Sequence, residues 1–237
     1  MARLEHAGQH RRVPTPTIAL FDIDGTLVTC GGAGRASMER AFGDVLGRTD
    51  VGDFPYGGMT DRAIARAATR AAMRDDDDAT LDAVVARYLA HLAAMLPTSE
   101  RFAVLPGVHT LLDALAGHTH VAIGLGTGNM EHGARLKLGH AALSDRFAFG
   151  GYGSDHEDRA RLLRAGAERG AASLGVPLAR ARVVVIGDTP RDVSAARAIG
   201  ADVVAVATGG YRAESLFGAD LLVATLADER ALARIAR

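Results

Sequence analysis

"IALFDIDGTL", residues 18–27, opens as a buried β-strand and then breaks its own pattern. Ile18, Ala19, Leu20 and Phe21 are apolar and Ile23 continues the run, but Asp22 and Asp24 interrupt it and Gly25-Thr26 ends it. Aspartate is depleted in strands, and burying a carboxylate without a partner is costly. A core strand carrying two acids at its end therefore needs a local reason for them.

The rest of the chain supplies the frame. "HVAIGLG" (120–126), "RFAFGG" (146–151), "ARVVVIGD" (181–188), "ADVVAVAT" (201–208) and "ADLLVAT" (219–225) are short apolar runs closed by Gly, Asp or Thr, with helical segments between most of them. Continuous Val/Ile runs alternating with helices predict a parallel sheet covered on both faces, an α/β doubly wound, Rossmann-like core. Between the first strand and the second lies a different texture. Arg35–Leu46, Thr60–Arg74, Ala79–Leu96 and Val108–Ala116 are alanine-rich helix candidates, and strand-like runs are absent before "VLPGV" breaks the pattern at Pro106-Gly107. The expected organisation is a core of residues 1–31 and 106–237 with an inserted helical cap of residues 32–105.

Composition narrows the function classes. The 237 residues are 48% hydrophobic, enough for a sizeable core, and 27 Lys+Arg against 28 Asp+Glu give no electrostatic case for nucleic acid or an anionic membrane as partner. Cys30 is the single cysteine, so no internal disulfide forms and a reducing, cytoplasmic setting is expected. "MARLEHAGQHRRVPTPT" has no apolar run of signal-peptide length and reads as a mobile lead-in, and no uninterrupted apolar stretch reaches the roughly 18 residues of a membrane span. Oligomeric state is not legible.

In parallel α/β sheets ligands bind at the carboxyl ends of the strands. Asp22, Asp24, Thr127 in "GTGN" (126–129) and Asp188 in "GDTPRD" (187–192) all fall there. Each has an ordinary explanation. Asp22 and Asp24 suit a turn before Gly25, Thr127 or Asn129 can cap the helix that follows, and Thr189-Pro190-x-Asp192 fits a capping box. Their coincidence on one edge favours a site, in which Asp192 serves as cap and site residue together.

"DIDGT" (22–26), "GTGN" and "GDTPRD", in this order, resemble three motifs of the haloacid dehalogenase superfamily, and the inserted block with "YGGMTDRAIARA" (56–67) resembles the helical cap of its phosphoglycolate phosphatase-like subgroup. The resemblance covers nearly the whole chain. It implies that Asp22 is a nucleophile forming an aspartyl-phosphate and that Asp24 is the general acid and then base. It implies Mg²⁺ held by the Asp22 side chain, the Asp24 carbonyl and Asp188, with Asp192 and Thr189 behind them. It also implies a phosphate held by Thr127 and Gly128. The family's basic residue between the second and last motifs has no exact counterpart. Among Arg159, Arg161 and Arg164, Arg159 is the first choice because it lies nearest a helix start, and Arg161 is the alternative.

The implied activity is hydrolysis of a small phosphorylated metabolite. An acid at position 24 separates the chain from dehalogenases, and Lys137, its only lysine, lies in the core segment rather than the cap where phosphonate hydrolases need one. A sugar phosphomutase and a non-catalytic binding protein on the same fold are the alternatives. Arg62, Arg66, Arg70 and Arg74 recur every four residues and read as a solvated helix face. "TCGGAGR" (29–35) reads as a hinge with Cys30 packed beside it, and His156 as a surface residue.

Overall fold

The computed structural model describes residues 14–237, so most of the basic lead-in lies outside the described residues. In chain order the elements are β1 (Thr17–Phe21), β2 (Val28–Cys30), α1 (Ala33–Leu46), α2 (Asp61–Ala71), α3 (Asp78–Met95), β3 (Phe102–Val104), α4 (Val108–Ala116), β4 (Val121–Gly126), α5 (Glu131–His140), β5 (Gly150–Gly151), α6 (Arg159–Ser173), β6 (Arg182–Gly187), α7 (Pro190–Ala198), β7 (Asp202–Val206), β8 (Leu221–Val223) and α8 (Glu229–Ile235).

Six strands form one sheet in the order β5-β4-β1-β6-β7-β8, and each neighbouring pair is parallel. β1 is central, with Phe21 paired to Leu125 on one side and Ile186 on the other. Alternation along the strand divides its side chains between two cores. Ala19 and Phe21 pack with Leu111, Leu112 and Leu115 of α4, while Ile18 and Leu20 pack with Leu162, Leu163 and Ala167 of α6. All five β1 residues are buried, which explains their near-continuous apolar run. The chain leaves β1 toward β4 on one side and reaches β6 on the other, so the strand order reverses beside β1, where doubly wound sheets open a crevice.

Between β2 and β3 the chain forms α1, α2 and α3, which pack on one another through Phe42, Ala65, Ala68, Leu81, Val84 and Leu92. Asp77 caps α3 by accepting from the Thr80 amide at 2.7 Å, so the acidic run 75–78 starts that helix as its composition suggests. The stretch Asp78–Thr98 is long and apolar enough by composition (mean hydropathy 1.3) to cross a membrane, a feature that counting uninterrupted apolar runs passes over. Its apolar face is nevertheless occupied, with Leu81, Val84, Val85, Tyr88 and Leu92 buried.

Three expectations need correction. The inserted block does contain a strand, because Phe102–Val104 pairs antiparallel with Val28–Cys30. Three residues are too few to show a period against the long helices before them. The run 146–151 yields only a two-residue edge strand, because Ser144–Arg146 is wound into a 3₁₀ turn and Phe147 turns its ring edge-on toward Phe21. The arginine stripe does not face free solvent throughout. Arg62 pairs with Asp78 and Asp82, and Arg66 bridges Asp76 and Glu157.

Candidate active site

The carboxyl edge of β1, β4 and β6 gathers the acids that the sequence had scattered. Asp22 follows β1 directly and its amide donates to Ile186 O at 2.9 Å, so β6 fixes the backbone at that position. Asp188 leaves β6 on the adjoining rail, and Thr26 Oγ1 donates to Asp188 Oδ1 at 3.0 Å. Carboxylate oxygens of Asp22, Asp188 and Asp192 lie within 4.8 Å of one another. The room for Asp188 is made by glycine: a Cβ at Gly209 or Gly25 would collide with its carboxyl group.

Asp192 has another occupation. Its Oδ2 accepts from the Thr189 amide (3.0 Å) and hydroxyl (2.7 Å), completing the capping box at the start of α7. Its Oδ1 accepts from Arg159 Nε at 2.8 Å and from the same guanidinium through Nη2. Asp192 therefore belongs to the acid group by position while both of its oxygens hold protein donors.

Arg159 is the first residue of α6, capped by Asp158, and it is buried. Its Nη2 reaches Asp22 Oδ2 at 2.8 Å. Arg161 and Arg164 are exposed, and Arg161 contacts His156. Of the three arginines, the structure brings Arg159 alone into contact with Asp22. Thr127 is fully buried at the end of β4, and its hydroxyl oxygen accepts from Asn129 Nδ2 at 2.9 Å. Gly128 lines the cavity above it.

Asp24 faces a different set of partners. Its Oδ2 accepts from Lys137 Nζ at 2.6 Å and from Asn129 Nδ2 at 2.8 Å, and Cys30 Sγ lies 3.4 Å from Oδ1. Lys137 also donates to Asn129 Oδ1. Sequence reasoning missed Lys137 and Asn129 as site residues. Lys137 lies ten residues beyond Thr127, and only the return of α5 across the site places it beside Asp24.

The helical block closes the site from above. Gly58 O accepts from Arg159 Nη1 at 3.3 Å, Gly57 O accepts from Arg191 Nη1 at 2.5 Å, and Thr60 Oγ1 donates to Glu157 O at 3.1 Å. Gly58 has φ +69°, and a side chain there would strike Thr189. Asp61, at the start of α2, donates its amide to Gly128 O at 2.9 Å and accepts from the Met130 amide at 2.8 Å. In the sequence Asp61 looks like a helix-start acid after the N-cap Thr60, which it also is. The cavity, partly open to solvent, is about 400 Å³ and is lined by Asp22, Asp24, Gly128, Arg159 and Asp188 below and by Tyr56, Asp61, Ile64 and Tyr88 above.

The electrostatics separate the acids. Burial, opposed by Arg159, raises Asp22 to about 6, and burial together with Asp22 and Asp192 raises Asp188 to about 8. Burial raises Asp61 to about 6 as well. Burial also acts on Asp24, but Lys137 and the hydrogen bonds from Lys137, Asn129 and Cys30 outweigh it and hold that carboxyl below its ordinary value. Burial raises the Cys30 thiol to about 12, so it remains protonated. Two buried carboxyls with raised pKa values, side by side, form an oxygen donor set suited to a hard divalent cation.

A family model described as haloacid dehalogenase-like hydrolase matches residues 16–200. The phosphoglycolate phosphatase of Rhodospirillum rubrum is 33% identical over 205 residues, spanning 83% of this chain and 82% of the relative. A hydrolase from Pseudomonas syringae superposes with a TM-score of 0.70 at 22% identity, covering 94% of this chain and 100% of that one. CbbY from Rhodobacter sphaeroides, solved in complex with phosphate, gives 0.69 at 19% identity over 90% and 96% of the two chains. The two structural likenesses bear on the fold alone.

Proposed function

The chain belongs to the haloacid dehalogenase-like hydrolases, and from that premise we propose that it is a Mg²⁺-dependent phosphatase acting on a small phosphate monoester through an aspartyl-phosphate on Asp22. The observation that carries this reading is the unequal pair at the end of β1. Asp22 sits against the buried arginine Arg159, whereas Asp24 points to Lys137 and the cavity. Two carboxyls of one short loop in separate environments can divide nucleophilic and proton-transfer work.

In this account Asp22 Oδ attacks phosphorus and the ester oxygen leaves. Asp24 donates the proton that the leaving alkoxide needs, then removes a proton from the water that cleaves the acyl-phosphate. Arg159 is placed to donate to phosphoryl oxygens while keeping its bond to Asp192, and Thr127 and the Gly128 amide complete the phosphate site. The Asp22 side chain, the Asp24 carbonyl and Asp188 would hold Mg²⁺, which neutralises charge between carboxylates and phosphate. We read residues 32–105 as a cap over a core of 1–31 and 106–237. Its contacts through Gly57, Gly58, Thr60 and Asp61 support a role in excluding water from the first step.

The name of the Rhodospirillum relative makes 2-phosphoglycolate the first substrate to assay, beside a panel of other monoesters, with Mg²⁺ or with chelator. Mg²⁺-dependent phosphate release supports the proposal. Isomerisation of a sugar phosphate without net release would favour a mutase, and binding without any turnover would favour a non-catalytic role.

A further inference from the structure

The cavity that would hold the leaving group is short of uncommitted positive charge. Among the described residues three cationic side chains line it, and each is engaged within the protein. Lys137 is held by Asp24 and Asn129. Arg159 is held by Asp22, Asp192 and Gly58 O. Arg35 donates to Glu39 at 2.8 Å, to Gly52 O at 2.7 Å and to Phe54 O at 3.4 Å, and lies 4.4 Å over the Tyr56 ring. That arrangement straps the 52–56 loop to α1 rather than presenting a fork to the cavity.

The acids lining the same space outnumber these cations, being Asp22, Asp24, Asp61 and Asp188. A divalent cation and a phosphate would cancel each other and leave the excess in place. Asp61 lies on the helical-block side of the cavity and is 6% exposed. A carboxylate or second phosphate on the leaving group would meet the buried carboxylate of Asp61, and like charges repel. The remaining upper wall is Tyr56, Tyr88, Met38 and Ile64, surfaces that suit a hydroxylated carbon skeleton.

We propose that the substrate is the phosphate monoester of a neutral, hydroxyl-bearing alcohol, a polyol or sugar, and that Asp61 discriminates against leaving groups carrying a second anionic group. This rests on the phosphatase reading and makes it more specific, and it places 2-phosphoglycolate among the poor substrates. A hydroxyl donating to a buried carboxylate forms a charge-assisted hydrogen bond, so the group that repels an anion would attract a polyol.

The test compares kcat/KM for glycerol 3-phosphate and glucose 6-phosphate with that for 2-phosphoglycolate, in the full chain with Mg²⁺ at neutral pH. At least one neutral-alcohol ester should exceed 2-phosphoglycolate by about tenfold or more, a difference of about 1.4 kcal/mol in the barrier. Asp61→Asn keeps an acceptor for the Met130 amide and should narrow that ratio by raising the 2-phosphoglycolate value. Arg35→Gln should leave the ratio unchanged. Preference for 2-phosphoglycolate in the wild type, a ratio unmoved by Asp61→Asn, or a selective loss of 2-phosphoglycolate turnover in Arg35→Gln would overturn the proposal. Calorimetry of the same three esters with Asp22→Asn gives a ranking that needs no turnover. Absence of phosphate release from every ester would count against the phosphatase reading, whereas tighter binding of 2-phosphoglycolate to Asp22→Asn would count against the neutral-alcohol assignment itself.

Discussion

Lys137 Nζ stands 2.6 Å from Asp24 Oδ2, and Asn129 bonds to both side chains. The lysine is buried and Asp24 opens onto the cavity, so the pair joins the core to the space where a leaving group would sit. A lysine in contact favours the ionised carboxylate, the form needed to activate water. Its removal raises the Asp24 pKa and shifts the acid limb of the kcat profile to higher pH. We expect Lys137→Met to move that limb up by about one unit or more, equivalent to about 1.4 kcal/mol, and Lys137→Arg to restore part of it. A limb unchanged in Lys137→Met would show that the lysine is only a packing element.

Arg159 provides the second prediction. Truncating it leaves Asp22 and Asp192 buried without their shared cation, a change that costs roughly 3–5 kcal/mol when a buried pair is broken. Arg159→Ala should therefore lose both stability and activity, whereas Arg159→Lys should fold and turn over more slowly, on the order of 10²–10³-fold, because the charge remains and the fork is lost. Arg161→Ala and Arg164→Ala, on exposed side chains, should retain near-normal kcat. An inactive Arg161→Ala beside a normal Arg159→Lys would reverse the assignment.

Asp22 at about 6 and Asp188 at about 8 also determine how stability depends on pH. A carboxyl whose folded-state pKa is raised keeps a proton that the unfolded chain releases, so unfolding is favoured as pH rises through the window between the two values. In chelator, the melting temperature should fall between about pH 4 and pH 8, and Mg²⁺ should stabilise increasingly over the same range, because it competes with those protons. Asp188→Asn should flatten the metal-free curve. A metal-free melting temperature that rises across that range would contradict the raised values.

The parallel sheet was legible because β1, β6 and β7 are buried on both faces and so spell out unbroken apolar runs. The acids at its edge were legible because they interrupt those runs. Arg159 could be singled out from its neighbours by its place at the start of α6. Lys137 could not, since nothing in "RLKLG" distinguishes a lysine that curls under the helix from one that points to solvent. Asp61 was hidden for a related reason. A helix-start acid after a threonine cap is sufficiently explained by local structure, and only the packing of α2 against Gly128 and Met130 gives it a second role. The β2–β3 ribbon escaped because each of its strands is three residues long.

Whether phosphorus becomes bonded to Asp22 is the most direct question to ask of the enzyme. An aryl phosphate has a leaving group that needs no proton, so Asp24→Asn should still be phosphorylated by p-nitrophenyl phosphate while the slow water step lets the acyl-phosphate accumulate. Acid-quenched mass spectrometry of the peptide containing residues 18–27 should then find a phosphoryl group on Asp22 in Asp24→Asn with Mg²⁺, and none in Asp22→Asn. An unmodified peptide in Asp24→Asn during continuing release of p-nitrophenol, or a phosphoryl group on another residue, would contradict nucleophilic catalysis by Asp22.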